Sequence, residues 1–318
     1  MKEDRIVLKL LFFLATVFLA NTAIGQTNGQ SGIETGQVHQ AAEYNLASTN
    51  RNVSQALAAN DAVIQGKKEG PASGLCHNDN LRIAFQLQQF VWKEYGDNGG
   101  RLLKESGPLY GLHMAGEWYG RARVTVGGMY KMNFFGGRVN YDGQTQAGIP
   151  LKTKTGYLGA EGNADFALRA MPVADFYVKV FAGPAIRFWR RDINSNADAS
   201  GYVEEWFNFD GRAGAGLDYL FPADFKLFAE GGYKIPFITS ENVDWSKFGF
   251  GQVSLEPEQT FSPFAEVGLS WKFLFVSGFY DSLRFDKSAV KTKKGYYFYQ
   301  PESRADIFGV NAGFRGEF

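Results

Sequence analysis

The feature that most constrains this chain is a period of two that recurs, segment after segment, from Leu81 to Phe318. It is cleanest at the end. There Phe308, Val310, Ala312, Phe314, Gly316 and Phe318 share one face, and Gly309, Asn311, Gly313, Arg315 and Glu317 share the other. The same division recurs at 175–191, with Phe176, Val178, Val180, Ala182, Ile186 and Phe188 against Tyr177, Lys179, Arg187 and Arg191. At 206–219, Phe207, Phe209, Ala213, Ala215, Leu217 and Tyr219 oppose Asn208, Asp210, Arg212 and Asp218. Such alternation sets each strand between two environments, one apolar and one polar. A bundle of transmembrane helices, each needing about 20 consecutive apolar residues, is excluded.

A soluble sandwich alternates too, so further features must separate it from a membrane barrel. Connections alternate in length. Tight ones fall at Tyr119-Gly120, Met171-Pro172, Phe221-Pro222 and Lys272-Phe273; long polar ones fall near 96–105, 141–154, 192–204, 239–258 and 287–304. Short turns at one end and long loops at the other are the habit of outer-membrane barrels. Aromatics, 16% of the chain, gather at both strand ends. Trp118, Tyr119, Tyr219, Phe225 and Trp271 lie by the short turns, and Phe134, Phe188, Trp206, Phe207 and Phe237 by the long loops. Such rings gain by sitting where hydrocarbon meets headgroup.

The expected fold is therefore all-β: a single up-and-down antiparallel transmembrane β-barrel of about ten strands with a flexible N-terminal segment. The strands are expected at 81–95, 106–119, 122–138, 155–170, 174–191, 204–220, 224–238, 260–273, 274–286 and 305–318. Alternation falters at Gln88-Gln89 and at Phe279, Tyr280 and Asp281, where bulges are expected. Eight or twelve strands are the alternatives.

Ahead of the barrel, Lys2 and Arg5 precede the apolar run Leu10–Ala20, and Ala23 and Gly25 offer a cleavage site before Gln26. That reads as a signal peptide over 1–25, implying export. Residues 26–80 are rich in Gln, Asn, Ala, Ser and Gly and read as a periplasmic linker, with a short helix possible near 53–65. Cys76, the single cysteine, has no partner for an internal disulfide. Equal numbers of acidic and basic residues, 33 each, argue against a nucleic-acid partner. Three histidines leave no His-rich metal site, and no phosphate loop, G-x-S-x-G elbow or H-E-x-x-H is present. No cofactor is expected, and the chain reads as a monomer.

A barrel of this size has its lumen filled by inward side chains. The candidate lumen network is His113, Glu117, Arg169, Arg187, Asp210, Arg212 and Glu230, a mixture of signs suited to mutual pairing. A dedicated ion pore would show one sign at a constriction. His113, inward on the second strand, lies four residues from Glu117, about 13 Å in a strand. It is the one candidate for lumen catalysis on outer-membrane lipid or peptide. Candidate surface-binding residues are Arg190 and Arg191 at a strand rim, and Lys291, Lys293, Lys294, Tyr296 and Tyr297 in the last long loop. Cations beside aromatics suit lipopolysaccharide phosphates or a glycan.

The terminal Gly313-Phe314-Arg315-Gly316-Glu317-Phe318 and the alternating strands resemble the small bacterial outer-membrane β-barrel proteins of the opacity-protein and omptin size class. Asn140–Gln146 and Phe188–Ile193 are similar to rim-and-loop sequences of such barrels. The resemblance implies a bacterial outer-membrane location, contact with outer-membrane lipid and lipopolysaccharide, and recognition of the Phe318 strand by the assembly machinery. Omptin proteases use paired Asp and an Asp–His pair at the outer rim. Here Asp210 is followed two residues on by Arg212, so no catalytic residue carries over. The expected role is structural or surface-binding, with an outer-membrane enzyme or a narrow pore as alternatives.

Overall fold

The computed structural model describes residues 79–120, 122–144, 148–197 and 199–317. The expected signal peptide, most of the linker, Cys76 and Phe318 lie outside them. Among the described residues ten long strands close an antiparallel barrel. They are β1 (Asn80–Tyr95), β2 (Arg101–Tyr119), β3 (Val124–Gln144), β4 (Pro150–Val173), β5 (Phe176–Ile193), β6 (Val203–Phe221), β7 (Phe225–Trp245), β9 (Ser262–Trp271), β10 (Leu274–Phe285) and β13 (Glu302–Glu317). Three short strands, β8 (Gly251–Leu255), β11 (Lys291–Lys293) and β12 (Tyr296–Phe298), belong to the long loops. Each strand pairs with its neighbours in sequence order, and β1 pairs with β13 to complete the ring. No open edge remains in that ring to template association.

The alternation decides the orientation of nearly every side chain. Ile83, Phe85, Leu112, Leu158, Phe166, Val180, Val267 and Phe314 point outward and are exposed, making an apolar belt around the wall. Trp118, Tyr219 and Trp271 ring its short-turn end as expected. The indole of Trp118 lies over Gly128, where a Cβ would strike the ring. Tyr119 and Trp206 are the exceptions: both face inward and are buried, so neither belongs to a belt. In each case an odd-even count, not proximity to a turn, sets the face.

The tight turns are built from left-handed residues. Asp175, Ala223, Asp224 and Lys272 take φ of 62°, 66°, 62° and 52°, the backbone that two- and three-residue hairpins require. The long-loop end differs from expectation in extent. β2 already begins at Arg101, β3 runs to Gln144 and β7 to Trp245, so pairing continues through stretches that read as loops. Their polar outward residues are solvated while the ladder hydrogen bonds persist.

The expected bulges are absent at both places. Gln88 and Gln89 pair in register with Gly309 and Phe308, and Phe279, Tyr280 and Asp281 pair in register with Glu266, Ala265 and Phe264. Gln88 faces the lumen as a polar filler, and Asp281 is held there by Arg187 and Lys234. The irregularities fall instead between Glu94 and Tyr95, between Ala170 and Val173, and between Phe209 and Asp210. The last of these flips the parity of β7, so that Glu241 and Val243 face inward although Lys234 and Glu230 do as well.

Candidate functional site

Inside the barrel the side chains stack in layers. Nearest the short turns, Glu117 accepts hydrogen bonds from Asn80 at 2.8 Å, Lys226 at 2.9 Å and Lys179 at 3.3 Å. Asp218 lies 3.1 Å from the Lys226 ammonium. Arg169 stacks over the rings of Tyr119 at 3.9 Å and Tyr177 at 4.8 Å. One layer up, Lys131 donates to Glu230 at 2.6 Å and to Glu266, while Arg212 bridges Asp165 at 2.6 Å and Glu230 at 2.9 Å. Above them Arg187 holds Glu161 and Asp281, and Lys234 reaches Asp281 at 2.5 Å. Like charges do stand side by side, Arg169 opposite Lys179 and Glu230 opposite Glu266, but acids and bases pair across each layer, which is how buried charge is tolerated.

His113, Glu117, Arg187, Arg212 and Glu230 all lie in the lumen but in three bonded groups: Glu117 with Lys179 and Lys226, Arg212 and Glu230 with Lys131, and Arg187 with Glu161, which Asn133 links to His113. Arg169 joins through aromatic faces, and Asp210 stands apart with one carboxylate oxygen unpartnered. His113 is buried beside a cavity of about 90 Å³ that Glu161, Arg187, Asp210, Lys234 and Glu266 also line. Its Nδ1 lies 2.6 Å from Asn133 Oδ1, and Asn133 turns its amide nitrogen to Glu161 at 2.6 Å. The imidazole hydrogen therefore sits on Nδ1, and the bare Nε2 is without a partner. Gln86 Oε1, Asp210 Oδ1 and Glu266 Oε1 are unpartnered around the same cavity. Several water molecules fit it and match those atoms.

Nothing larger reaches His113 from the long-loop end, because an aromatic plug closes the lumen there. Trp92, Trp189, Trp206 and Phe285 come from four strands and are buried. Trp189 stacks on Trp206 at 5.1 Å, with Trp92 edge-on to Trp206 at 5.4 Å and Phe285 at 5.1 Å. Phe90, Leu109, Leu283 and Ile307 complete the cluster. Its nearness to a long loop makes Trp206 read as a belt residue in the sequence; its even position beside Glu204 and Asn208 is the signal that it faces inward.

On the plug rests one guanidinium among carboxylates. Arg191 donates to Glu204 at 2.7 Å, to Glu94 at 3.0 Å and to Glu105 at 3.0 Å. Thr155 at 2.6 Å and Tyr157 also donate to Glu105, and the indoles of Trp92 and Trp206 donate to Glu94 and Glu204. Glu241, fully buried, is met by the Gln300 amide turned to donate at 3.2 Å. An apolar cap of Val243, Val253, Leu255 and Phe298 covers the assembly from the loops.

The surface candidates separate. Arg191 is 1% exposed and inward, whereas Arg190 faces out, so the pair cannot clamp one phosphate. In the last loop the lysines are tied down: Lys291 to Glu256 at 3.2 Å, Lys293 to the Gln252 carbonyl at 2.7 Å and Lys294 to the Gly249 carbonyl at 2.7 Å. Lys287 is hydrogen-bonded to Asp97, which holds its ammonium above the usual lysine range. What the β11–β12 hairpin presents is aromatic. Tyr297 is 74% exposed and Tyr296 61%, the latter packed edge-on against Phe250.

No protein-family model matches the chain, and no curated protein does. Solved structures similar to it are outer-membrane barrels. The outer membrane protease OmpT of Escherichia coli shares 13% identity, covering 76% of this chain and 97% of its own at a TM-score of 0.47. The translocator domain of the autotransporter NalP from Neisseria meningitidis shares 12%, covering 85% and 99% at 0.32. Ail, the attachment invasion locus protein of Yersinia pestis, shares 11%, covering 75% and 99% at 0.30. At these identities the likeness is one of fold alone.

Proposed function

We propose that this chain is an exported integral outer-membrane protein whose role lies on its outer surface, in binding or shielding, rather than in its lumen. The observation that carries the reading is the lumen itself. Paired charges fill it from the short-turn end, and four aromatic rings followed by the Arg191 layer fill it toward the loops. The apolar belt supports a hydrocarbon surround, since an exposed band of this kind on a soluble protein would drive association. On this reading the leader at 1–25 is removed, the short turns face the periplasm, and the Phe318 strand meets the assembly machinery. The surround is outer-membrane lipid and lipopolysaccharide.

The contact surface is then the hairpin at 291–298, with Tyr296 and Tyr297 as stacking faces held upright by the lysine ties. Exposed tyrosines on a fixed hairpin suit the flat faces of sugars, because little conformational entropy is lost on contact. The test is a glycan array probed with the protein in detergent. Wild type is expected to retain a subset of glycans that the Tyr296→Ala/Tyr297→Ala variant loses. Equal retention by the two proteins overturns the hairpin as the contact surface.

A further inference from the structure

Register brings together on the outer wall four cations that lie far apart in sequence. Arg284 on β10 stands opposite Arg304 on β13, Arg304 opposite Lys93 on β1, and Lys93 opposite Lys104 on β2. All four occupy outward positions. Directly opposed like charges weaken a strand pair, so a row of four calls for counter-charge. The protein supplies it to half of the row: Asp306 meets Arg284 at 2.5 Å and Glu302 meets Arg304 at 2.7 Å. Asp142, opposite Lys104, has its carboxylate 3.9 Å from Arg101. Lys93 and Lys104, facing each other, have no ion-pair or hydrogen-bond partner among the described residues. Beside them the Tyr95 ring lies 5.4 Å from the Arg304 guanidinium and adds an aromatic face.

The height of the row is as telling as its sign. It stands four to six residues above Phe308, Tyr110 and Leu87, the last well-exposed large apolar residues on β13, β2 and β1; closer to the row the outward apolar residues are the half-buried Val91 and Leu102 and the small Pro108. At strand rises near 3.4 Å and tilts near 40° that is roughly 10–16 Å above the apolar belt. This is above the depth of acyl chains and at the depth of the sugars attached to an outer-leaflet glycolipid. We infer that the wall over β10, β13, β1 and β2 binds the anionic inner-core sugars of lipopolysaccharide, with Lys93 and Lys104 supplying the unmatched charge. The inference rests on the outer-membrane reading above and names a partner for a surface distinct from the tyrosine hairpin.

The test titrates the full chain in detergent with rough lipopolysaccharide bearing a phosphorylated inner core, with the same material after dephosphorylation, and with bisphosphorylated lipid A lacking core sugars. Wild type is expected to bind the phosphorylated core at least ten-fold more tightly than either comparison, with the preference falling as salt rises. Lys93→Glu/Lys104→Glu is expected to lose that preference, and Lys93→Arg/Lys104→Arg to keep it. Unchanged preference in the charge-reversed pair overturns the site. Equal binding of lipid A overturns the assignment to core sugars. Gel mobility before and after boiling reports whether each variant is a closed barrel; should charge reversal abolish the shift, Lys93→Gln/Lys104→Gln takes its place. Failure of the wild type to fractionate with outer membranes would sink the membrane reading, whereas correct fractionation with unchanged lipid preference sinks the site alone.

Discussion

At the scale of single residues, Arg191 carries the largest consequence. Three buried carboxylates share its guanidinium, and no second cation is bonded to them among the described residues. Arg191→Ala strands those charges, and breaking a buried pair by removing one partner costs about 3–5 kcal/mol. The unfolding temperature in detergent should fall sharply, and Arg191→Lys should recover only part because an ammonium cannot fork between carboxylates. Glu241 predicts the opposite sign. Burial first, and then repulsion from Glu204 and Glu94, disfavours its charge, so Glu241→Gln should leave stability unchanged or raise it by on the order of 1 kcal/mol. A loss of several kcal/mol there would mean that its charge is compensated. His113→Ala removes one buried hydrogen bond, about 1 kcal/mol, and should leave lipid A unaltered by mass spectrometry. An altered lipid A profile would return catalysis to the lumen.

At the scale of elements, the β6–β7 turn offers a clean measurement. Ala223 has a φ of 66°, a conformation costing an L-residue about 1–2 kcal/mol that glycine avoids. Ala223→Gly should stabilise the barrel by roughly 0.5–1 kcal/mol after glycine's greater unfolded-state freedom is subtracted, and Ala223→Val should destabilise it. A reversed order in thermal melts would show that the turn relaxes to another type. Elements are also where sequence reading was strongest. Parity along β5, β6 and β13 was written in residues such as Lys179, Arg212 and Asn311, because each face of a strand meets only one medium. What parity could not convey is the partner across the gap. Trp92, Trp189 and Trp206 lie far apart in sequence, and so do Lys93 and Arg304; only the register makes plug and row. The bulge between Phe209 and Asp210 hid Glu241 for the same reason, since one extra residue reverses a face.

At the scale of the whole molecule, the closed lumen predicts electrical silence. The plug and the layered ion pairs leave a cavity of about 90 Å³ rather than a channel, so reconstituted protein should show no steady unitary conductance in planar bilayers. Stable, ion-selective openings would show that the aromatic rings swing aside. The strands have another consequence. β3 and β4 run for 21 and 24 residues, where about 9–11 suffice to cross hydrocarbon. A ladder that long rises roughly 55–60 Å at a tilt near 40°, so on the membrane reading about half its height stands clear of the bilayer as a stiff mast. A hairpin carried there meets its target from beyond the sugars nearest the lipid, and meets it at a fixed distance: reach is built into backbone pairing and not borrowed from a flexible stalk.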